Sequence, residues 1–203
     1  MMKQWANSHF GQYILSIEQK KILEFISNKH HIKAIQFGMN GLNFLENDLI
    51  DTTVIVSEET DACSKNRLFM PSFTHLPLED NSVDLVLLPH TLNFYPQAQK
   101  ILHEAIRILK KQGTLILTAF NPDSLALSKR FYRHHPIESF IHIRDLYHTS
   151  YSSGISWQFG DFLSYIPYTQ NPYWIKKLNF LEKAGNRWWP TQSNIFILCG
   201  KKE

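Results

Sequence analysis

The chain has 203 residues, 43% of them apolar and 19% charged, with a formal charge of +3, enough for a single domain with a sizeable core. No apolar run approaches the roughly 20 residues that span a bilayer, and the start MMKQWANSHFGQYILS lacks a basic leader followed by an apolar core, so a cytoplasmic location and no membrane partner are expected. Cys63 and Cys199 are too few and too far apart for a disulfide framework or a zinc cluster and read as reduced thiols.

Residues 1–31 read as a helical lead-in. Tyr13, Ile14, Ile17, Ile22, Leu23, Phe25 and Ile26 form one stripe, with Glu18, Lys20, Lys21, Glu24 and Lys29 facing elsewhere. Trp5, Phe10 and Tyr13 either pack on a sheet or cover a ligand in its cleft. Residues 34–37 form a short strand running into Gly38-Met39-Asn40-Gly41, and 42–49 read as a helix. This is the first strand, turn and helix of a nucleotide-binding half, where glycine lets backbone approach a ligand. Residues 53–56 are a second strand followed by Ser57, Glu58 and Glu59. In this architecture an acid about 20 residues past the glycine turn accepts hydrogen bonds from ribose hydroxyls, and Glu58 stands there. Residues 67–73 read as a third, edge-type strand because Pro71 interrupts them.

Residues 77–121 are the organising stretch. Residues 83–88 are apolar except for Asp84, the pattern of a parallel strand covered on both faces. From 97 to 109 the positions Ala98, Ile101, Leu102, Ala105, Ile108 and Leu109 recur at helical steps. Pro96 is placed to start that helix, Gly113 to end it, and Lys110 and Lys111 to meet its dipole. Residues 114–120 are the next strand. Such a βαβ unit places ligands at the carboxyl ends of its strands, which directs attention to 89–94 and 120–124. His90 is the candidate general base, with a purely structural hydrogen-bonding role as the alternative.

Asn121-Pro122-Asp123-Ser124 is turn chemistry leading to a helix near Leu125. Lys129, Arg130, Arg133, His134 and His135 alternate with Phe131 and Tyr132, forming either a solvated helix face or a surface for phosphate or an acidic substrate. The stretch 121–151 is a possible cap in which Asn121, Arg130 and Arg133 shape an acceptor pocket, or else its aromatics complete the core. Residues 155–159 read as a strand, 174–181 as a helix stopped by Gly185, and 194–199 as a last strand, giving a hairpin-like final pair. His30-His31 and His134-His135 lack companions spaced for a metal site.

The run L-P-L-E-D-N-S-V-D-L-V-L-L-P-H-T-L-N-F, the helix I-L-H-E-A-I-R-I-L-K-K-Q-G-T-L-I-L and the F-N-P after it resemble class I S-adenosylmethionine-dependent methyltransferases, in particular the type 11 methyltransferase-domain family. The resemblance covers residues 33–201 and implies an α/β, Rossmann-like fold: a seven-stranded, mostly parallel sheet with helices on both faces and only its last strand reversed. It implies S-adenosylmethionine as cofactor, held by Gln36, Phe37, Gly38, Gly41, Glu58, Ser72, Phe73, Pro89 and His90. The chain departs from the family where Gln36 replaces an acid, Asn40 replaces a glycine and Ser72 replaces an Asp. A methyltransferase for a small-molecule acceptor is the expectation. A non-catalytic protein that kept the fold is the alternative those departures raise, and an RNA-modifying enzyme is a third. Positions 89–92 read P-H-T-L rather than an N-P-P-Y-type run, so a nucleic-acid partner is not expected.

Overall fold

The computed structural model describes residues 2–27, 30–58, 66–127 and 129–203, with the side chains of Lys129 and Arg130 outside that description. Strands β1 (His31–Phe37), β2 (Ile50–Ser57), β3 (Arg67–Phe69), β4 (Val83–Pro89), β5 (Leu109–Phe120), β6 (Ile155–Leu163) and β7 (Ile195–Lys202) form one seven-stranded sheet in the order β3-β2-β1-β4-β5-β7-β6. The pairings from β3 through β5 are parallel, and β7 runs antiparallel to both β5 and β6. The expected α/β fold and the final reversed pair are present.

The central strand is buried on both faces because its side chains alternate between two cores. Val86 and Leu88 join Ile101, Leu102 and Ala105 of helix α4 (Ala98–Ile108) on one face. Leu85 and Leu87 meet the N-terminal helices α1 (Met2–Ala6) and α2 (His9–Ile26) on the other. Helix α3 (Thr91–Phe94) links β4 to α4. Asp84, the one polar residue in the run 83–88, accepts from the Lys33 N–H and from Lys110 Nζ, each at 2.9 Å. Burial pushes its carboxyl up, but these two partners prevail and hold it below its ordinary value.

Several local expectations are corrected. Residues 42–49 are not helical: the Asn43 and Asn47 side chains accept from the N–H groups of Leu45 and Leu49 two residues on, turn geometry that competes with a helix. Gly113 does not end α4, because Leu109 already pairs with Val83. The chain bulges before Thr114 pairs with Leu85, and Gly113 lies inside that bulge. Lys202 of β7 also meets the carboxyl end of α4, its Nζ donating to the carbonyls of Ile106 (2.7 Å) and Leu109 (2.9 Å).

No helix begins at Leu125; the next is α5 (Lys129–His134), followed by α6 (Ile143–Ser152). The helix expected over 174–181 is two, α7 (Pro172–Lys177) and α8 (Phe180–Trp188). Gly185 lies within α8, where a side chain would collide with the Tyr165 ring. Cys199 is a buried free thiol that burial pushes up to about 11, while Cys63 lies outside the described residues. No helix among the described residues is long and apolar enough to cross a membrane, and no His, Cys, Asp and Glu cluster there could hold a metal.

Candidate active site at the carboxyl ends of β1, β2 and β4

Strand order reverses between β1 and β4, and a crevice opens outside the carboxyl ends of parallel strands at such a point. Here it is a cavity of about 640 Å³. Its floor includes Met39, Asn40, Gly41 and Phe44 of the loop after β1, with Glu58 at the end of β2 and Phe94, Tyr95 and Pro96 beyond β4. Its roof is the lead-in: Met2, Lys3, Ala6 and Asn7, then Gln12, Leu15, Ser16 and Gln19 along one side of α2. Among the described residues of 121–151, only Glu138 contributes to the lining.

The loop after β1 is held by Gln36. Its side chain is fully buried; Nε2 donates to the carbonyls of Gly38 (3.1 Å) and Leu42 (2.7 Å), and Oε1 accepts from the Phe44 N–H (3.0 Å). An acid at this position could accept from Phe44 but could not donate to two carbonyls, so the amide is matched to this loop. Gln36 therefore shapes the site without lining it. Gly38 and Met39 take left-handed backbone, with φ of 75° and 56°. A side chain at Gly38 would stand 3.1 Å from Tyr95 Oη, so that approach is filled by Tyr95, whereas Gly41 faces open space. Asn40 Oδ1 is buried with no hydrogen-bond partner among the described residues.

The other expected donor-site residues separate into walls and supports. Glu58 is exposed at the rim of the cavity. Phe37 and Phe73 are buried beneath it in edge contact at 5.7 Å, and Phe73 continues to Tyr95 at 4.5 Å. Ser72 is exposed and bonds Thr74 Oγ1 within its own loop at 2.9 Å. Pro89 is buried, and Thr91 Oγ1 donates to the Phe37 carbonyl at 2.8 Å, tying the end of β4 to the end of β1.

His90 does not line the cavity. Its backbone is left-handed (φ 50°), its ring is fully buried, and its Nε2 lies 2.7 Å from Oε1 of Glu18, a residue expected to face away and instead fully buried on α2. Trp5 and Phe120 cover the imidazole with ring centroids at 4.7 and 4.3 Å. The expected base is thus sealed behind α1, and Trp5 packs on the sheet side. That packing requires Gly11, whose Cβ would fall 2.0 Å from the Trp5 carbonyl.

The expected acceptor residues are also redirected. Asn121 is buried, with Nδ2 donating to the carbonyls of Thr191 (2.8 Å) and Ser193 (2.9 Å), so it fastens the end of β5 to the approach of β7. Arg133 is exposed away from the cavity, and the Arg130 side chain lies outside the described residues. Phe131 is core, packed on Phe120 and Phe10. Sequence reading misses Asn93, a buried junction whose Oδ1 accepts from the Phe120 N–H (2.9 Å) and whose Nδ2 donates to the Ser139 carbonyl (3.0 Å). Its place in the run after β4 is visible in the sequence; its partners, distant along the chain, are not.

Comparison with known proteins agrees with this fold. Residues 33–117 match the family described as a methyltransferase domain. A stretch of 50 residues is 46% identical to the protein YafS of Escherichia coli (strain K12), spanning 25% of this chain and 21% of that relative. Among solved structures, a SAM-dependent methyltransferase from Archaeoglobus fulgidus superposes with a TM-score of 0.67 at 16% identity, over 92% of this chain and 94% of that one. The geranyl diphosphate C-methyltransferase of Streptomyces coelicolor A3(2) gives 0.66 at 12% identity, over 93% and 77%. Residues 33–117 thus carry the similarity to the methyltransferase-domain family, and the fold of the chain is like that of these solved methyltransferases.

Proposed function

We propose that the chain is an S-adenosylmethionine-dependent methyltransferase acting on a small-molecule acceptor. The observation that carries this reading is the large cavity at the switch point, bounded by Gly41 on the first loop and Glu58 at the end of β2. Its volume of about 640 Å³ lies within the range of roughly 300–1,000 Å³ usual for small-molecule sites.

The residues present fit the cofactor. Glu58 would accept from ribose hydroxyls, Gly41 leaves room for backbone approach, and Asn40 has a buried acceptor oxygen still to be paired. When bound, the cofactor supplies a methyl activated on a sulfonium. The chain's part is positioning: Phe94 and Tyr95 flank the space, and α1 and α2 line it from the other side. Holding two reactants in contact can supply about 7–11 kcal/mol. Gln36, Phe37, Phe73 and Pro89 act as supports beneath the site, and the reading requires no histidine base.

Calorimetry with S-adenosylmethionine and S-adenosylhomocysteine tests the proposal. Binding is expected, and Glu58→Ala should weaken it by about 1–3 kcal/mol, the scale of a lost hydrogen bond to a charged group. Absence of heat with either ligand would favour the second reading, a non-catalytic protein on this fold. That reading is supported by the Tyr95 hydroxyl over Gly38 and by a Ser72 that bonds within its own loop.

A further inference from the structure

The excursion between β6 and β7 is built unlike the rest of the molecule. Helix α7 buries none of its residues, and α8 buries only Gly185. Tyr173, Trp174, Phe180, Trp188 and Trp189 are all exposed, Trp188 by 71%. An isolated exposed aromatic needs no explanation, but five within residues 172–189 do. Lys176, Lys177, Lys183 and Arg187 share the same two helices and are exposed. The one acid in that range, Glu182, is turned inward, accepting from Tyr13 Oη at 2.6 Å and from the Tyr165 N–H at 3.2 Å. Those bonds and the packing of Gly185 on Tyr165 anchor the pair of helices to the body. The outward side is left aromatic and cationic.

We infer that α7 and α8 form a docking surface for an anionic phospholipid bilayer, on which the protein lies without spanning it. Tryptophan and tyrosine favour the headgroup level, and cations beside them meet anionic lipid. Two alternative occupants fit this surface less well. Base stacking would have to share these rings with cations, because Lys177 Nζ lies over Tyr173 at 5.6 Å and Trp174 at 5.1 Å, and the Arg187 guanidinium over Trp188 at 5.6 Å. A second copy of the chain would bring the same cations face to face. The expectation of no membrane partner rests on the lack of a long apolar run, a test that does not detect two short interfacial helices. Because Tyr13 on α2 holds Glu182, the bound surface would lie beside the helix that roofs the cavity.

The test is flotation of the full chain with vesicles of phosphatidylcholine alone and of phosphatidylcholine with phosphatidylglycerol, with tryptophan emission followed in parallel. Recovery with the anionic vesicles and a blue-shifted emission are expected, both weakened by salt. Lys176→Gln with Lys177→Gln should lower partitioning about thirtyfold, from the increment known for a cation near an anionic membrane. Trp174→Ser with Trp188→Ser should remove most of the emission shift and leave that of Trp189, with melting temperature unchanged because both replaced rings are exposed. Equal partitioning of wild type and the lysine variant, or none with anionic vesicles, would overturn the proposal. So would binding to a single-stranded oligonucleotide without vesicle binding, or a dimer in solution that the tryptophan variant breaks.

Discussion

The carboxyl ends of β1 and β4 lie side by side in the sheet, yet the two are built on opposite rules. After β1, a buried amide pairs with three backbone groups of its own loop, and the loop opens onto a cavity. After β4, His90 and Glu18 pair through one contact, while Trp5 Nε1, Glu18 Oε2 and His90 Nδ1 stay buried with no hydrogen-bond partner among the described residues. Buried polar atoms normally find partners, so the β1 end is a polar network close to completion and the β4 end is one left half-satisfied under aromatic cover. Closeness to the ligand end of the sheet therefore does not make a residue a ligand contact. What decides is which element comes to lie over it.

The largest expected effect breaks the β4 side. Glu18→Ala leaves the buried His90 Nε2 without its partner and opens a cavity where the Glu18 side chain stood, and should cost about 3–5 kcal/mol in denaturant unfolding. The double replacement Glu18→Leu with His90→Phe removes both polar groups together and should recover much of that loss. If the single and double variants were equally destabilised, the pair would be a packing contact rather than an electrostatic one.

The β1 side is tested by Gln36→Glu, which restores the acid that the methyltransferase resemblance leads one to expect. Its carboxylate would face the carbonyls of Gly38 and Leu42 with nothing to donate, at an expected cost of about 2–4 kcal/mol. The melting temperature should fall, and fall less at acid pH, where the introduced carboxyl is protonated and can donate to one carbonyl. A gain in both stability and cofactor affinity would show that the loop prefers the acid.

A paired charge away from both ends sharpens the contrast. Glu104 on α4 accepts from the Leu76 N–H (2.6 Å) and from Arg107 Nη2 (2.7 Å). Burial pushes its carboxyl up, but Arg107 and that N–H prevail and hold it below its ordinary value. A lowered folded-state pKa contributes stability above the unfolded value that is lost as pH falls through the folded one. Glu104→Gln should therefore cost about 1.5–3 kcal/mol at neutral pH. The difference from wild type should shrink as pH drops below the ordinary carboxylate range, measured by urea unfolding across pH. A constant difference would mean the charge contributes nothing.

Local patterns in the sequence determined the strands and the central helix. Continuous apolar runs such as 83–88 must be covered on both faces, and the spacing of Ile101, Leu102 and Ala105 admits only a helix lying on a sheet. The position of the glycine turn and of Glu58 at the cavity was legible for the same reason, since each stands at a fixed distance along the chain from the strand it follows. Tertiary structure alone decided the rest. Glu18 reads as a surface acid by helical period and is buried because the end of β4 comes to lie against it. Gln36 reads as a cofactor contact in place of an acid and is a loop support, because its partners fold back onto it. The segment 121–151 reads as either a cap or a completion of the core, and the roof falls to α1 and α2, whose place depends on Gly11 meeting the Trp5 carbonyl and on a core assembled from strands far along the chain. Periodicity reports which side of an element is apolar, but which neighbour covers that side depends on contacts between distant segments that no local pattern encodes.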